Sequence, residues 1–236
     1  MNFFDRYPRF YETSSVGATP NRLNCRYKAL IEANAECING KSILDLASHD
    51  GRWSFAAIDA GARRVLGIEA RSHLVERAIG TFRAYDVPPG KFSFVTGDVF
   101  QYLPGIEPGS IDTVFCFGFF YHTMHHHWLL RALADLRPRH LVLDSRVSRS
   151  DDPIIEVRIE DPGNDQAVVL SPGDARKTSL VGHPSRRAIE MMLGNFGYCF
   201  RYFDWLAAPI EDWDRIEDYR DGLRITLRAD LGTAAA

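Results

Sequence analysis

The sequence predicts an α/β chain: a mostly parallel seven-stranded sheet with one antiparallel edge strand and helices on both faces. Three observations predict it. Short apolar runs alternate with segments of helical periodicity from Ser42 to Asp144, the order that builds a parallel sheet through crossover helices. Acids recur at or just after the ends of the first three runs, at Asp45, Glu69 and Asp98. Two further strand-like runs, Tyr198–Asp204 and Leu223–Arg228, close the chain after a last helix.

Each element has its own reason. Residues 1–20 carry Phe3, Phe4, Tyr7, Phe10 and Tyr11 without a clean period and read as an irregular lead-in or lid. From Asn21 to Ile38 the apolar positions Leu23, Tyr27, Leu30, Ile31 and Ile38 recur at helical spacing, and Asn39-Gly40 stops the helix. Ser42–Leu46 is the first strand, short and apolar as a strand buried on both faces must be. A helix after Gly51 carries Trp53, Phe55, Ala56, Ile58 and Ala60. Arg64–Glu69 is the second strand, and Leu74, Val75, Ala78, Ile79 and Phe82 mark one face of the next helix. Phe92–Val95, Ile111–Phe117 and His140–Asp144 are strands three to five, with a helix over Met124–Leu136 between the last two. Beyond residue 145, Ile155, Val157 and Ile159 alternate with charged residues, a turn follows at Asp161–Asp165, and Ala167–Leu170 returns. That pattern predicts an exposed hairpin over 151–170. Arg186–Asn195 is the last helix, and 231–236 read as a disordered tail.

At 236 residues and 45% hydrophobic content, the chain can bury one core and is expected to form a single domain. A net charge of −3 gives no general attraction to a polyanion, so nucleic acid is not an expected partner. Cys25, Cys37, Cys116 and Cys199 form no CxxC pair, so neither a zinc site nor a disulfide framework is predicted. No apolar run approaches the ~20 residues that span a bilayer. The opening residues lack the basic-then-apolar order of a signal peptide, and a cytoplasmic protein is expected.

The turn after the first strand is Ala47-Ser48-His49-Asp50-Gly51. A pattern of acid, any, Gly, any, Gly, any, Gly lands on Asp45, Ala47, His49 and Gly51, with alanine and histidine at two glycine positions. Small Ala47 still permits a close approach of backbone to ligand, whereas His49 must turn its side chain away or use it. Glu69, ending the second strand, is placed to accept hydrogen bonds from two ribose hydroxyls. Asp98 is placed near an adenine amino group, with Val99 or Phe100 beside the ring. The alternative for both acids is that they cap the helices that follow. No GxGxxG occurs, which disfavours a pyrophosphate-bearing dinucleotide.

Across roughly residues 20–147 these words resemble motif I and the two acidic motifs of class I S-adenosylmethionine (SAM) methyltransferases of the small-molecule and quinone type. The resemblance implies the Rossmann-like class I methyltransferase fold and SAM as cofactor. It implies cofactor contacts from Asp45, Ala47, His49, Gly51, Glu69, Ala70, Asp98, Val99 and Phe117, with Asp45 suited to the cofactor's ammonium group. Asp50-Gly-Arg-Trp-Ser-Phe55, Gly61-Ala62, Gly67-Ile-Glu69 and Phe120-Tyr-His122 are also similar to the wobble-uridine tRNA-modifying branch; fold alone does not carry substrate.

The fourth strand delivers Phe117-Gly-Phe-Phe-Tyr-His122 to the site. His122 is the candidate base for a hydroxyl acceptor, with Tyr121 beside it, since imidazole titrates near neutrality; alternatively His122 orients Tyr121 or caps the next helix. Tyr11, Phe120, Arg146 and His183 are candidate acceptor contacts, and Arg146, Arg149 and His183 would suit an anionic one. His125-His126-His127 looks like a metal cluster, but consecutive helical residues point in different directions, and no metal is expected. Asp144 alone matches the acids that metal-dependent catechol-type enzymes carry after strands four and five. The Asn/Asp-Pro-Pro-Tyr/Phe word of N6-adenine and glutamine methyltransferases is absent. The expected function is methylation of an O or N atom of a small-molecule acceptor; a tRNA-modifying enzyme and a non-catalytic SAM-binding protein are the alternatives. The lead-in and the hairpin are the candidate lids, or else ordinary packing and a homodimer surface.

Overall fold

The computed structural model of the chain describes residues 1–13, 19–163, 167 and 178–232. Its sheet has seven strands. The first five are β1 (Ser42–Leu46), β2 (Arg64–Glu69), β3 (Phe92–Thr96), β4 (Thr113–Phe117) and β5 (His140–Arg146). A separate two-stranded sheet holds β6 (Ile155–Glu160) and β7 (Ser179–Pro184), and β8 (Tyr198–Tyr202) and β9 (Arg224–Leu231) complete the main one. The order is β3-β2-β1-β4-β5-β9-β8. Strands β1 to β5 pair in parallel, and β9 runs antiparallel between β5 and the edge strand β8. Chain order reverses between β1 and β4, which leaves a crevice at their carboxyl ends.

The helices are α1 (Pro20–Leu30), α2 (Arg52–Asp59), α3 (Ser72–Ala84), α4 (Val99–Tyr102), α5 (His126–Leu136), α6 (Arg186–Asn195) and α7 (Glu217–Arg220). The helix expected over 21–38 breaks instead: α1 ends at Leu30 and a 3-10 segment, Glu32–Cys37, follows with non-helical geometry at Asn34. Asn34 is buried and donates to the carbonyls of Ala29 and Leu30, so its amide closes the end of α1 where the backbone cannot. α6 begins at Ser185, whose hydroxyl accepts the N–H of Ala188 at 3.1 Å.

The sheet buries both faces, as its apolar strands require. On β4, Val114 and Cys116 join Leu129, Leu130, Leu133 and Leu136 of α5 on one side. Phe115 and Phe117 join Trp53, Phe55 and the amino-terminal aromatics on the other. Phe3, Phe4 and Phe10 are buried there, with Phe3 stacked on Tyr27 at 4.1 Å and Phe4 edge-on to Trp53 at 5.6 Å. The lead-in is therefore packed onto α1 and α2, burying aromatic area that supplies its docking energy.

An exposed two-stranded arm is present. β6 pairs with Ser179–Pro184, Ile155 opposite Pro184 and Glu160 opposite Ser179; residues 168–170 and the tail from 233 lie outside the described residues. Gly182 explains part of this pairing. A Cβ there would stand 2.6 Å from His126 Cε1 and 2.7 Å from Ile155 Cγ2, so only glycine lets β7 lie against the start of α5. Ile155, Val157, Ile159 and Leu180 of this arm remain exposed. Among the described residues no helix is long and apolar enough to cross a membrane.

Candidate active site

A cavity of about 900 Å³ opens at the carboxyl ends of β1, β2 and β4, at the upper end of the range for small-molecule sites. Its floor begins at the turn after β1. Ala47, His49 and Gly51 all have left-handed backbone, with φ of 51°, 54° and 75°. The three positions where the pattern has glycine thus keep the glycine conformation even where the residue is alanine or histidine, at a strain of order 1 kcal/mol each for those two. Gly51 has a packing reason as well: a Cβ there would come within 2.9 Å of Phe94 and 3.0 Å of Ala78. It caps α2 and does not line the cavity.

Glu69 holds this turn. Its Oε2 accepts the N–H of His49 at 2.9 Å and its Oε1 that of Arg71 at 3.0 Å. The carboxylate is buried yet reaches the cavity wall, and two acceptor positions beyond these bonds stay open. Asp98 Oδ1 accepts the N–H of Phe100 at 2.6 Å and caps α4; its Oδ2 has no hydrogen bond among the described residues. Both acids therefore organise backbone and also face the cavity with lone pairs to spare.

Asp45 does not face the cavity. It lies beneath the turn, 1% exposed, and accepts the Ser54 hydroxyl at 2.6 Å. Burial pushes its pKa up to about 7, against the lowering by Ser54, so a role on the cofactor's ammonium gives way to one beneath the turn. Asp50 is also fully buried and meets Arg52 through two bonds of 2.7 Å, with Thr13 closing the group. Burial would raise its pKa, but Arg52 and His49 hold it far below the usual carboxylate range. His49 Nδ1 stands 3.5 Å from Asp50 Oδ1 and makes no hydrogen bond to it. Ser48 Oγ and both His49 ring nitrogens are buried without a hydrogen-bond partner, and both residues line the cavity. Buried polar atoms of this kind call for a ligand or water.

The wall across from the turn comes from β4 and the arm. Phe117, Gly118, Phe119, Tyr121 and His122 line it, as do Ala70, Val99 and Arg146. His122 Nδ1 meets Glu160 Oε2 of β6 at 2.7 Å. Three candidate acceptor contacts lie elsewhere. Phe120 is fully buried in the core and edge-on to His126 at 4.8 Å, because the 3-10 turn at 120–122 rolls it away from Tyr121 and His122. Tyr11 donates to Asp5 at 2.6 Å outside the cavity; burial and Asp5 push its pKa up to about 12. His183 stands behind Tyr121, edge-on at 5.4 Å. Burial and the charges of Arg158 and Arg146 bring its pKa down to about 4, so it stays neutral.

The histidine triplet splays. His125 meets Phe100 at the cavity, His126 turns inward to the Gly182 carbonyl, and His127 packs on Phe196. Asp144, weighed above as a metal-site acid, is enclosed by protein. Its Oδ1 meets Arg26 at 3.0 Å and Arg224 at 2.7 Å, and its Oδ2 accepts from Tyr219 and Thr226, both at 2.8 Å. Burial opposes its ionisation, but Arg224 and Arg26 hold the carboxyl well below the usual range. Among the described residues Cys37, His140 and Asp230 have donor atoms within 4.8 Å of one another. Asp230 is already paired with His140 and Arg228 at 2.7 Å, and the Arg228 guanidinium opposes a cation. Arg22, Arg26 and Arg224 also line the cavity; sequence reasoning missed them, since their acid partners lie far away along the chain.

Residues 43–139 match the family model described as a methyltransferase domain. No curated protein matches the chain. Solved structures do, at low identity. The N-terminal domain of EvdMO1 with SAH bound has a TM-score of 0.64 at 16% identity, covering 93% of this chain and 85% of that one. The same domain has been crystallised in the presence of SAH and D-fucose. An S-adenosylmethionine-dependent methyltransferase from Mesorhizobium loti gives 0.61 at 18%, covering 87% and 97%. Magnesium protoporphyrin IX methyltransferase from Synechocystis PCC 6803 with bound SAM gives 0.60 at 17%, covering 97% and 91%. The fold is that of the class I methyltransferases. Residues 43–139 are those of a methyltransferase domain, on a fold that carries SAM or SAH in two of the structures just named.

Proposed function

We propose that this enzyme methylates an oxygen or nitrogen atom of a small-molecule acceptor, with Glu69, Asp98 and the Ala47–His49 turn holding the cofactor and His122 serving as base. The carrying observation is the bond of 2.7 Å between His122 Nδ1 and Glu160 Oε2 at the cavity wall. A carboxylate on Nδ1 fixes the hydrogen there and leaves Nε2 as the acceptor for a proton. Bound in this cavity, SAM supplies a methyl group activated by a sulfonium. His122 Nε2 takes the acceptor's hydroxyl proton as the new O–CH₃ bond forms and the S–CH₃ bond breaks. Phe117, Phe119 and Tyr121 wall off water, which aligns the acceptor. One similar structure was crystallised in the presence of SAH and D-fucose and another is a magnesium protoporphyrin IX methyltransferase, which supports a small-molecule acceptor.

The reading is tested by calorimetry with SAM and SAH, then by SAH release with a panel of hydroxyl- and amine-bearing metabolites. Binding with turnover of a panel member is expected. Turnover of unmodified tRNA, with none of the small molecules accepted, would overturn it.

A further inference from the structure

We propose that the acceptor is an anion, its carboxylate or phosphate held at the arginine-lined end of the cavity by Arg146 together with Arg224 and Arg26. This rests on the reading that the cavity is the methyl-transfer site.

Charge at this end does not balance. Arg26 and Arg224 are each 5% exposed and line the cavity. They share a single carboxylate, Asp144, through the same oxygen, and its other oxygen is taken by Tyr219 and Thr226. Arg26 Nε is buried with no hydrogen-bond partner. Arg146, exposed at the cavity, sits directly opposite Arg224 in the β5–β9 register. Both guanidinium groups face the Tyr121 ring, at 5.9 Å for Arg146 and 5.3 Å for Arg224. Among the described residues Arg146 has no carboxylate partner.

Like charges directly opposite across a strand pair repel, and buried guanidinium groups in excess of their carboxylates are costly. The neighbouring charges do not supply the missing anion. Asp218 is bonded to Arg22 through two contacts, of 2.7 and 2.9 Å. Glu217 and Arg215, both exposed, line the cavity as one acid and one base, and Glu160 is bonded to His122. The cofactor adds no net negative charge: its amino and carboxyl groups cancel, and its sulfonium adds one more positive charge. The group left to balance Arg146, Arg224 and Arg26 is on the acceptor. Planar guanidinium groups meet carboxylate and phosphate oxygens with paired N–H donors. The positive field at this point already depresses His183, after burial, through Arg158 and Arg146.

The test titrates benzoate, inorganic phosphate and neutral benzamide into the SAH-saturated protein and into its Arg146→Met and Arg26→Met variants. One of the anions is expected to bind, benzamide at least tenfold more weakly than benzoate if benzoate is that anion. Arg146→Met is expected to lose at least tenfold of the anion affinity with SAH affinity kept. Benzoate binding identifies a carboxylate acceptor and phosphate binding a phosphorylated one. Equal binding of benzoate and benzamide, or binding of neither anion, would overturn the proposal. So would loss of SAH affinity in Arg146→Met with anion binding intact, which assigns the arginines to the cofactor's own carboxylate. If Arg26→Met fails to fold, Arg146→Met decides alone, since Arg146 lies outside the buried Asp144 cluster. A wild type that binds no SAH refutes the cofactor reading instead; benzoate or phosphate titrated into the free protein and its Arg146→Met variant then still decides the anion site.

Discussion

Glu69 accepts the backbone N–H of His49, so the acid that ends β2 also fixes the turn that ends β1. One carboxylate thus shapes the cavity floor and keeps lone pairs for the ribose that the proposed cofactor role assigns to it. Glu69→Ala should weaken SAH binding by about 1.5–3 kcal/mol, the range for hydrogen bonds to a charged group. Calorimetry on a variant whose melting transition is still cooperative checks this. Unchanged affinity would remove Glu69 from the cofactor site.

The turn itself makes paired predictions of opposite sign. Ala47 holds φ of 51°, a conformation that glycine adopts without steric cost, so Ala47→Gly should stabilise the protein by up to about 1 kcal/mol. Gly51→Ala should destabilise it by more than that, because φ is 75° and the new Cβ would press on Phe94, Ala78 and Phe82. Chemical denaturation of both variants reads the two effects. A destabilising Ala47→Gly would mean that the alanine methyl makes a contact worth more than the strain.

Most of the fold was legible because its signals are local. β1, β2 and α6 have the boundaries that apolar runs and helical periodicity predict. The acids and the turn were legible for the same reason: each lies at a strand end, where chain order fixes position. What escaped was set by contacts distant in sequence. The sequence pattern marks no strand at Ser179–Pro184, yet β7 lies there, with Gly182 fitted against His126 and Met124. Arg26 and Arg224 are unremarkable on α1 and β9 until the sheet brings both to Asp144. Glu160 likewise reads as one more charge on an alternating strand, and only the docking of the arm brings it to His122.

Buried acids of opposite shift give stability a pH profile with two limbs. Asp50 and Asp144 titrate far below their unfolded value of about 4. Their contribution is present above about pH 4 and is lost as pH falls towards their folded values. Asp45 is shifted the other way, up to about 7. The folded protein then binds a proton that the unfolded chain releases, so this contribution is present below about pH 4 and is lost as pH rises to about 7. Asp45→Asn should flatten the fall in stability between about pH 4 and 7 while leaving the acid limb in place. Denaturant melts across that range check it, and an unaltered slope would mean that another group titrates there.

The last prediction concerns His122 and Glu160. They belong to different elements, a 3-10 turn after β4 and the exposed arm, yet meet at 2.7 Å on the cavity wall. If His122 removes the acceptor's proton, His122→Ala should lower kcat by roughly 10²–10⁴-fold with SAH affinity nearly intact, the usual worth of a general base. Glu160→Gln keeps the side chain's size but removes the charge that pins Nδ1. It should lower kcat by less than His122→Ala does, and the double variant should be no slower than His122→Ala alone, because Glu160 acts through the imidazole. Independent, multiplying losses would give Glu160 a role of its own. An acceptor that is an amine, or already an anion at the reacting atom, needs no strong base; His122→Ala would then alter KM far more than kcat. A His122→Ala enzyme with normal kcat on a hydroxyl acceptor would reduce the residue to a wall of the cavity, and the proton would have to leave by way of Tyr121.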